Sequence, residues 1–212
     1  MESLKPRDKK EERVTLALML LLMLFGYVLI HDLLGGTLLA HSAWDSYTLQ
    51  SRSWLEGRLD LGRNYDYLEL AIYGGKYFVS FPPFPSAALL PFALVFGEHT
   101  PNNLLVALCA MASAALVYRF ALRARFSPQH GALLALFLTW GGNLMWMSTN
   151  GGVWFMAQSL NFLLLLLAAA LLWFQPQRRE ENLKSKPQPV RDGLLGGAIG
   201  WLWPRRFSCR PH

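Results

Sequence analysis

The chain has 212 residues, of which 53% are hydrophobic and only 16% are charged, and its formal net charge is +6. A soluble domain of this length would leave too much apolar surface exposed, so the composition excludes an ordinary soluble protein and favours a membrane protein. The basic residues stand in short blocks between apolar runs, which argues against a nucleic-acid-binding face. Of the two cysteines, Cys109 lies in an apolar run and Cys209 in the basic tail, so neither a disulfide nor a metal site is predicted.

The first apolar run, residues 14–34, follows a basic stretch at residues 1–13. About 20 apolar residues are enough to span a bilayer, and basic flanks stay on the cytoplasmic side. Residues 14–34 are therefore predicted to form a transmembrane helix with a cytoplasmic N-terminus. The alternative is a cleavable signal peptide, with Ala40 and Ser42 as small residues near a cleavage site, although the apolar run is long for one.

Residues 35–85 are polar and aromatic and are predicted to form a large extracytoplasmic loop. The next apolar run, residues 86–97, is short for a span and contains Pro91. If this run crossed the membrane, the arginines that follow residue 118 would lie outside, against the positive-inside rule. We therefore expect a re-entrant or interfacial segment at the outer face.

Three longer apolar runs are predicted to be transmembrane helices: residues 102–122, 130–147 and 153–174. Residues 175–192 are basic and are expected in the cytoplasm. Residues 193–212 are predicted to form an incomplete helix and a tail, as in a truncated or frameshifted chain, because only about 11 apolar residues precede Pro204, short of the roughly 20 needed. The predicted fold is all-α, a polytopic transmembrane bundle with a large first loop, located as a multi-pass protein in a bacterial plasma membrane.

Acidic and aromatic residues follow the first span in a characteristic order. Asp45 comes soon after the span, and Gly75-Lys76-Tyr77-Phe78 leads to Phe81-Pro82-Pro83 before the next apolar run. This order resembles the first extracytoplasmic loop of the GT-C membrane glycosyltransferases, in particular glycosyltransferase family 39, the dolichyl-phosphate-mannose protein mannosyltransferases, and the aminoarabinose transferases. The resemblance covers roughly residues 13–174. Those enzymes usually carry an Asp-Glu pair at the catalytic position, whereas this chain has Asp45-Ser46.

The resemblance implies an enzyme that moves a sugar from a polyprenyl-phosphate donor to an extracytoplasmic hydroxyl on a protein, lipid or polymer. It implies a membrane-lipid environment and no cofactor, with Asp45 as the catalytic base and inversion at the anomeric carbon by single displacement. Complete members of the family are far longer, so the chain is expected to hold their amino-terminal part. The alternative function is a non-catalytic multi-pass membrane subunit or a transporter fragment, for which Asp45 would be dispensable.

A sugar already linked to phosphate carries a good leaving group, so the enzyme mainly needs a base and cations for the departing phosphate. The loop offers four candidate cations for phosphate: Arg52, Arg58, Arg63 and Lys76. Asp66, Glu69 and Tyr77 are further candidates for contact with substrate. Each has an ordinary alternative, since loop cations contact lipid head groups, aromatic residues gather at membrane interfaces and Asp45 is a good helix cap.

Neutral polar residues near the last two predicted spans supply a second group of candidates: Asn143, Ser148, Thr149, Asn150 and Gln158. They are predicted to face the same compartment as Asp45, where they could complete a substrate groove. Hydrogen bonding between membrane helices is the alternative role for these side chains.

Overall fold

The computed structural model describes residues 8–174, and the predictions for residues 175–192 and 193–212 lie outside them. The described part is mostly helical. Its elements in chain order are α1 Lys9–Leu33, α2 Ser46–Leu55, β1 Leu70–Tyr73, β2 Lys76–Val79, α3 Phe84–Phe96, a 3-10 turn Gly97–His99, α4 Asn102–Arg123, α5 Pro128–Trp140, α6 Asn143–Met147 and α7 Val153–Trp173.

Three of these helices are long and apolar enough to cross a membrane. Helices α1, α4 and α7 have 25, 22 and 21 residues, and at a rise of about 1.5 Å per residue each reaches or exceeds the roughly 30 Å of a hydrocarbon core. Large apolar side chains stay exposed along α1 and α7, among them Leu18, Phe25, Leu165 and Leu171. The structure therefore confirms a mostly helical chain with three helices that could span a membrane, which indicates a multi-pass membrane protein.

Helix α4 lies at the centre of the bundle, where it packs against α1, α5 and α7. Small residues recur along it at helical spacing, and Ala107, Ala110 and Ala114 are completely buried. Small side chains let helices approach closely, which is the usual basis of packing where lipid removes the hydrophobic driving force. Tyr27 of α1 and Trp140 of α5 pack edge to face, with ring centroids 5.4 Å apart.

The expectation of an all-α chain is wrong in one element, the β-hairpin of β1 and β2. The strands pair antiparallel, with Leu70 opposite Val79 and Tyr73 opposite Lys76. Gly74 and Gly75 form the two-residue turn, and both have positive φ, at 58° and 74°. Such a turn matches the twist of the strands and requires residues that tolerate positive φ at both positions.

The predicted single helix over residues 130–147 is also wrong, because the structure divides this run into α5 and α6. Gly142 is extended, with φ −131° and ψ −169°, and begins α6 without a side-chain cap. Glycine is a poor helix former, and two in succession at Gly141-Gly142 allow the break. Helix α5 has 13 residues, about 20 Å of rise, so it does not reach across a bilayer alone.

The segment between α1 and α4 leaves and returns at one end of the bundle, here called the Asp45 end. At its start Thr37 O accepts a hydrogen bond from Asn103 Nδ2 of α4 at 3.4 Å. Helix α3 lies along α2, since Ser51 Oγ donates to Ser86 O at 2.7 Å and Arg52 pairs with Glu98 just beyond the end of α3. This segment therefore carries no net crossing from one end of the bundle to the other.

Candidate functional site

Asp45 is the N-cap residue of α2. Its Oδ1 accepts a hydrogen bond from Thr48 N at 3.1 Å, and its carbonyl oxygen accepts the first helical bond from Leu49 N at 3.2 Å. A side-chain acceptor at this position satisfies a backbone N–H that the helix leaves unpaired. The cap therefore fixes the position of the carboxylate at the start of α2.

A second, distant residue holds the same oxygen of Asp45. Asn102 Nδ2, in the first turn of α4, donates to Asp45 Oδ1 at 2.7 Å and lies 3.3 Å from Thr48 Oγ1. Asn102 is buried, and Asp45 is only 9% exposed. Burial raises the pKa of Asp45 from its ordinary value of 3.8 to about 6, while hydrogen bonds from Thr48 and Asn102 offset part of that rise. Asp45 is thus a buried carboxylate that changes protonation close to neutral pH.

The turn between α6 and α7 packs directly on this pair. Gly151 N donates to Asn103 Oδ1 at 2.8 Å. A Cβ on Gly151 would come within 2.3 Å of Asn102 Cβ, so only glycine fits at this approach. Ser42 Oγ, on the segment before α2, donates to Asn150 Oδ1 at 3.4 Å. Three segments far apart in sequence therefore meet around Asp45.

The neutral polar candidates separate into two groups in the structure. Asn150 joins the turn beside Asp45. Ser148 instead bonds to Tyr27 Oη at 2.6 Å and to Met145 O at 2.8 Å, and Thr149 Oγ1 donates to Trp146 O at 2.8 Å. Ser148 and Thr149 thus serve contacts within and between helices.

A cavity of about 280 Å³ opens next to the Asp45 pair. Its lining is mainly aromatic and apolar and consists of Trp44, Tyr67, Leu68, Glu69, Phe81, Asn150, Gly152, Val153, Trp154 and Phe155. Asp45 itself is not part of the lining, but its neighbour Trp44 and the Asn150 turn are. Asp45 is therefore next to the cavity in the chain, through Trp44, but does not line it.

Three of the four candidate cations pair with carboxylates, and the fourth stacks on an aromatic ring. Arg52 Nη1 is 2.5 Å from Glu98 Oε1, Lys76 Nζ is 3.4 Å from Asp60 Oδ1, and Arg58 pairs with Glu56. Arg63 stacks over the ring of Tyr65, with its guanidinium carbon 4.6 Å from the ring centre. Exposed pairs of this kind add little stability, so they leave the cations exchangeable.

The remaining candidates are divided between the cavity and the loop surface. Glu69 lines the cavity. Asp66 accepts a hydrogen bond from Asn64 Nδ2 at 2.5 Å on the exposed loop. Tyr77 is half-buried on β2, and its carbonyl oxygen accepts from Leu61 N at 2.8 Å. The structure therefore brings Glu69, and neither Asp66 nor Tyr77, to the cavity.

Sequence reasoning missed the partners of Asp45, Asn102 above all. Asn102 follows Pro101 at the start of an apolar run, which is a typical helix beginning. No local signal connects it to Asp45, 57 residues earlier, because the contact arises only when α2 and α4 come together. Across residues 8–174 there is no group of three or more His, Cys, Asp or Glu side chains that could hold a metal ion.

Comparisons with protein-family models, with curated proteins and with solved structures gave no match for this chain.

Proposed function

We propose that this chain is a GT-C type membrane glycosyltransferase, which moves a sugar from a polyprenyl-phosphate donor to an acceptor hydroxyl outside the cytoplasm. The observation that carries the proposal is the buried carboxylate of Asp45, held by Thr48 N and Asn102 Nδ2. Its pKa of about 6 makes it a stronger base than an ordinary aspartate and leaves it ionised at neutral pH. Both properties suit a group that takes a proton from an acceptor hydroxyl.

In the proposed reaction the acceptor hydroxyl gives its proton to Asp45 as its oxygen attacks the anomeric carbon of the donor sugar. The bond from that carbon to the phosphate oxygen breaks, and the polyprenyl phosphate leaves with the electron pair. One displacement inverts the configuration at the anomeric carbon. Protons and charges balance, because the carboxylate becomes a carboxylic acid and the phosphodiester of the donor leaves as a monoester with one more negative charge.

The departing phosphate needs a cation, and we assign this role to Arg63. Within residues 8–174, Arg63 is the one of the four loop candidates with no carboxylate partner, since it rests on the ring of Tyr65. A guanidinium presents paired donors that match phosphate oxygens. Arg52, Arg58 and Lys76 would first have to release Glu98, Glu56 and Asp60.

A non-catalytic membrane subunit is the second candidate, and one observation favours it. Asp45 already has a structural task as the cap of α2, and capping is a common role of aspartate. On this interpretation the carboxylate charge is unnecessary, and asparagine at position 45 would serve equally well.

The test measures sugar transfer in membranes that contain the chain, supplied with radiolabelled polyprenyl-phosphate sugars. Asp45→Asn keeps an oxygen for both hydrogen bonds but cannot act as a base, so transfer should fall at least a hundredfold. Asp32→Asn is the matched control at an exposed carboxylate on the end of α1, and it should transfer normally. Equal transfer by Asp45→Asn and the wild type would favour the non-catalytic subunit.

A further inference from the structure

The cavity at the Asp45 end contains a carboxylate among aromatic rings, a combination that the transfer reaction does not use. Five of its ten lining residues are aromatic: Trp44, Tyr67, Phe81, Trp154 and Phe155. Glu69 is the single charged side chain in the lining, and Asn150 supplies the single amide. The lining therefore combines one negative charge with five aromatic rings.

Four of the rings form two nearly perpendicular pairs. Trp44 and Tyr67 have centroids 6.2 Å apart and planes at 70°, while Phe81 and Trp154 have centroids 4.7 Å apart and planes at 76°. In each pair the edge of one ring points towards the face of the other. The face of an aromatic ring is electrically negative and attracts a cation within about 6 Å of its centre.

Glu69 adds to the negative potential because its charge is not neutralised locally. Among the described residues 8–174 no cation pairs with its carboxylate, since Arg52, Arg58 and Lys76 are held by other acidic groups. Ser80 bonds only to the backbone carbonyl of Glu69, at 2.9 Å. Such a cavity repels phosphate, and a neutral ligand gains nothing from the charge.

We propose that this cavity binds an organic ammonium group, such as a choline or ethanolamine head group, between its aromatic rings and Glu69. Its volume of about 280 Å³ lies at the lower limit of ordinary ligand sites, about 300 Å³, which suits a small head group. Trp154 is in the first turn of α7, a helix of membrane-spanning length, so the cavity lies at the level where lipid head groups are found. The proposal goes beyond sugar transfer and does not depend on it.

The first experiment compares choline with 3,3-dimethylbutan-1-ol, which has the same shape and no charge. The purified full chain is kept in a polyoxyethylene detergent, which carries neither charge nor sugar, and binding is followed by saturation-transfer NMR of the ligand methyl protons. We expect choline to bind about tenfold more tightly than its neutral analogue. Equal binding of the two, no choline binding, or a preference for methyl glucoside would overturn the proposal.

Two variants with matched controls locate the site. Glu69→Gln and Trp154→Leu should each weaken choline binding about five- to tenfold. Glu56→Gln removes an exposed glutamate outside the cavity, and Trp146→Leu removes a tryptophan that is 61% exposed, compared with 60% for Trp154. Both controls should bind choline normally. An equal loss of binding in the controls and the cavity variants would place choline elsewhere and overturn the proposal.

Lysophosphatidylcholine distinguishes the two sources of an ammonium group. If it binds more tightly than choline and loses affinity in Glu69→Gln, the natural ligand is a lipid head group. If choline binds at least as tightly, the ligand is a free ammonium compound. Both results support the ammonium site, whereas lysophosphatidylcholine binding that Glu69→Gln leaves unchanged argues against the cavity as its location.

Discussion

Asp45 combines a helix cap with a buried charge, and substitution can separate the two. The folded protein binds a proton at Asp45 with a pKa of about 6, compared with an ordinary value of 3.8. Between these two pH values the folded state holds the proton more tightly than the unfolded state does. This group therefore makes the protein most stable below about pH 4 and lowers the stability as the pH rises towards 6.

The first prediction follows from that sign. Asp45→Asn keeps both hydrogen bonds and removes the buried charge, so at pH 7 it should unfold at a higher temperature than the wild type. The gain in the free energy of unfolding should be up to about 3 kcal/mol. The difference should shrink towards zero at pH 4. Thermal unfolding in detergent across this pH range measures it, with Asp32→Asn as a control that stays close to wild type.

Asp45→Ala gives the matching measurement of the cap. Alanine removes the oxygen that accepts from Thr48 N and Asn102 Nδ2. Helix α2 then loses its side-chain cap, and the buried amide of Asn102 loses this acceptor. Compared with Asp45→Asn, this variant should lose about 2 kcal/mol or more. Equal stability of the alanine and asparagine variants would show that these hydrogen bonds contribute nothing to the fold.

The second prediction concerns Asn102. Its amide stabilises the ionised form of Asp45, so Asn102→Ala should raise the pKa of Asp45 above 6. The protonated carboxyl has its own infrared absorption, and titration of that band in the wild type and the variant measures the change. Asn103→Ala is the neighbouring control, because Asn103 bonds to Thr37 O and Gly151 N instead; a similar rise in that variant would contradict the assignment.

At the scale of single residues, the sequence indicated two roles for Asp45: a helix cap, which the structure confirms, and the catalytic base implied by the family resemblance, which stays a prediction. It identified neither Asn102 nor the partners of the loop cations. Arg52 with Glu98, 46 residues away, and Asp45 with Asn102 are contacts between elements. No spacing rule connects such positions until the packing of α2, α3 and α4 is known.

At the scale of elements, the turn between α6 and α7 depends on a glycine in close contact with α4. The third prediction is that Gly151→Ala destabilises the protein by about 1–3 kcal/mol, because its Cβ would overlap Asn102 Cβ and the Asn102 backbone. Gly142→Ala is the matched control, since a Cβ there meets nothing within 4 Å. Thermal unfolding of the two variants compares them, and equal melting temperatures would contradict the close packing.

Sequence analysis missed the β-hairpin and the break between α5 and α6, and the sequence signals for these two features differ in strength. Gly74-Gly75 between aromatic and β-branched residues is a recognisable hairpin turn, so β1 and β2 could have been predicted. The break between α5 and α6 had a weaker signal in Gly141-Gly142 and Asn143, which the high average hydropathy of residues 130–147 outweighed. Hydropathy measures whether a run can lie in lipid and does not report where its helix is interrupted.

At the scale of the whole molecule, the three membrane-length helices follow from hydropathy alone, whereas their order in the bundle does not. At each end of the bundle, hydrogen bonds join residues that are far apart in the sequence. Gln129 Nε2 donates to Glu11 Oε1 at 2.6 Å at one end, and Asn103 meets Thr37 and Gly151 at the Asp45 end. These contacts determine which helix termini share a side.

The fourth prediction assigns those sides. Tyr73 at the hairpin is 81% exposed, and Phe126 between α4 and α5 is 47% exposed. With Cys109 and Cys209 replaced by alanine, Tyr73→Cys should react with a membrane-impermeant maleimide on intact bacterial cells, while Phe126→Cys should react only after lysis. The reverse labelling pattern would place the Asp45 end in the cytoplasm and contradict an extracytoplasmic site.

The interruption at Gly141-Gly142 has a consequence for how water reaches the backbone. At the C-terminal end of α6, the hydroxyls of Ser148 and Thr149 donate to Met145 O and Trp146 O, so these two carbonyl groups have hydrogen-bond partners. At the N-terminal end of α6, directly after the break, the first N–H groups have no side-chain cap. In heavy water the backbone amides of residues 143 and 144 should therefore take up deuterium well before those of α4. The break would then be the place where solvent exchange begins in a bundle that is otherwise protected.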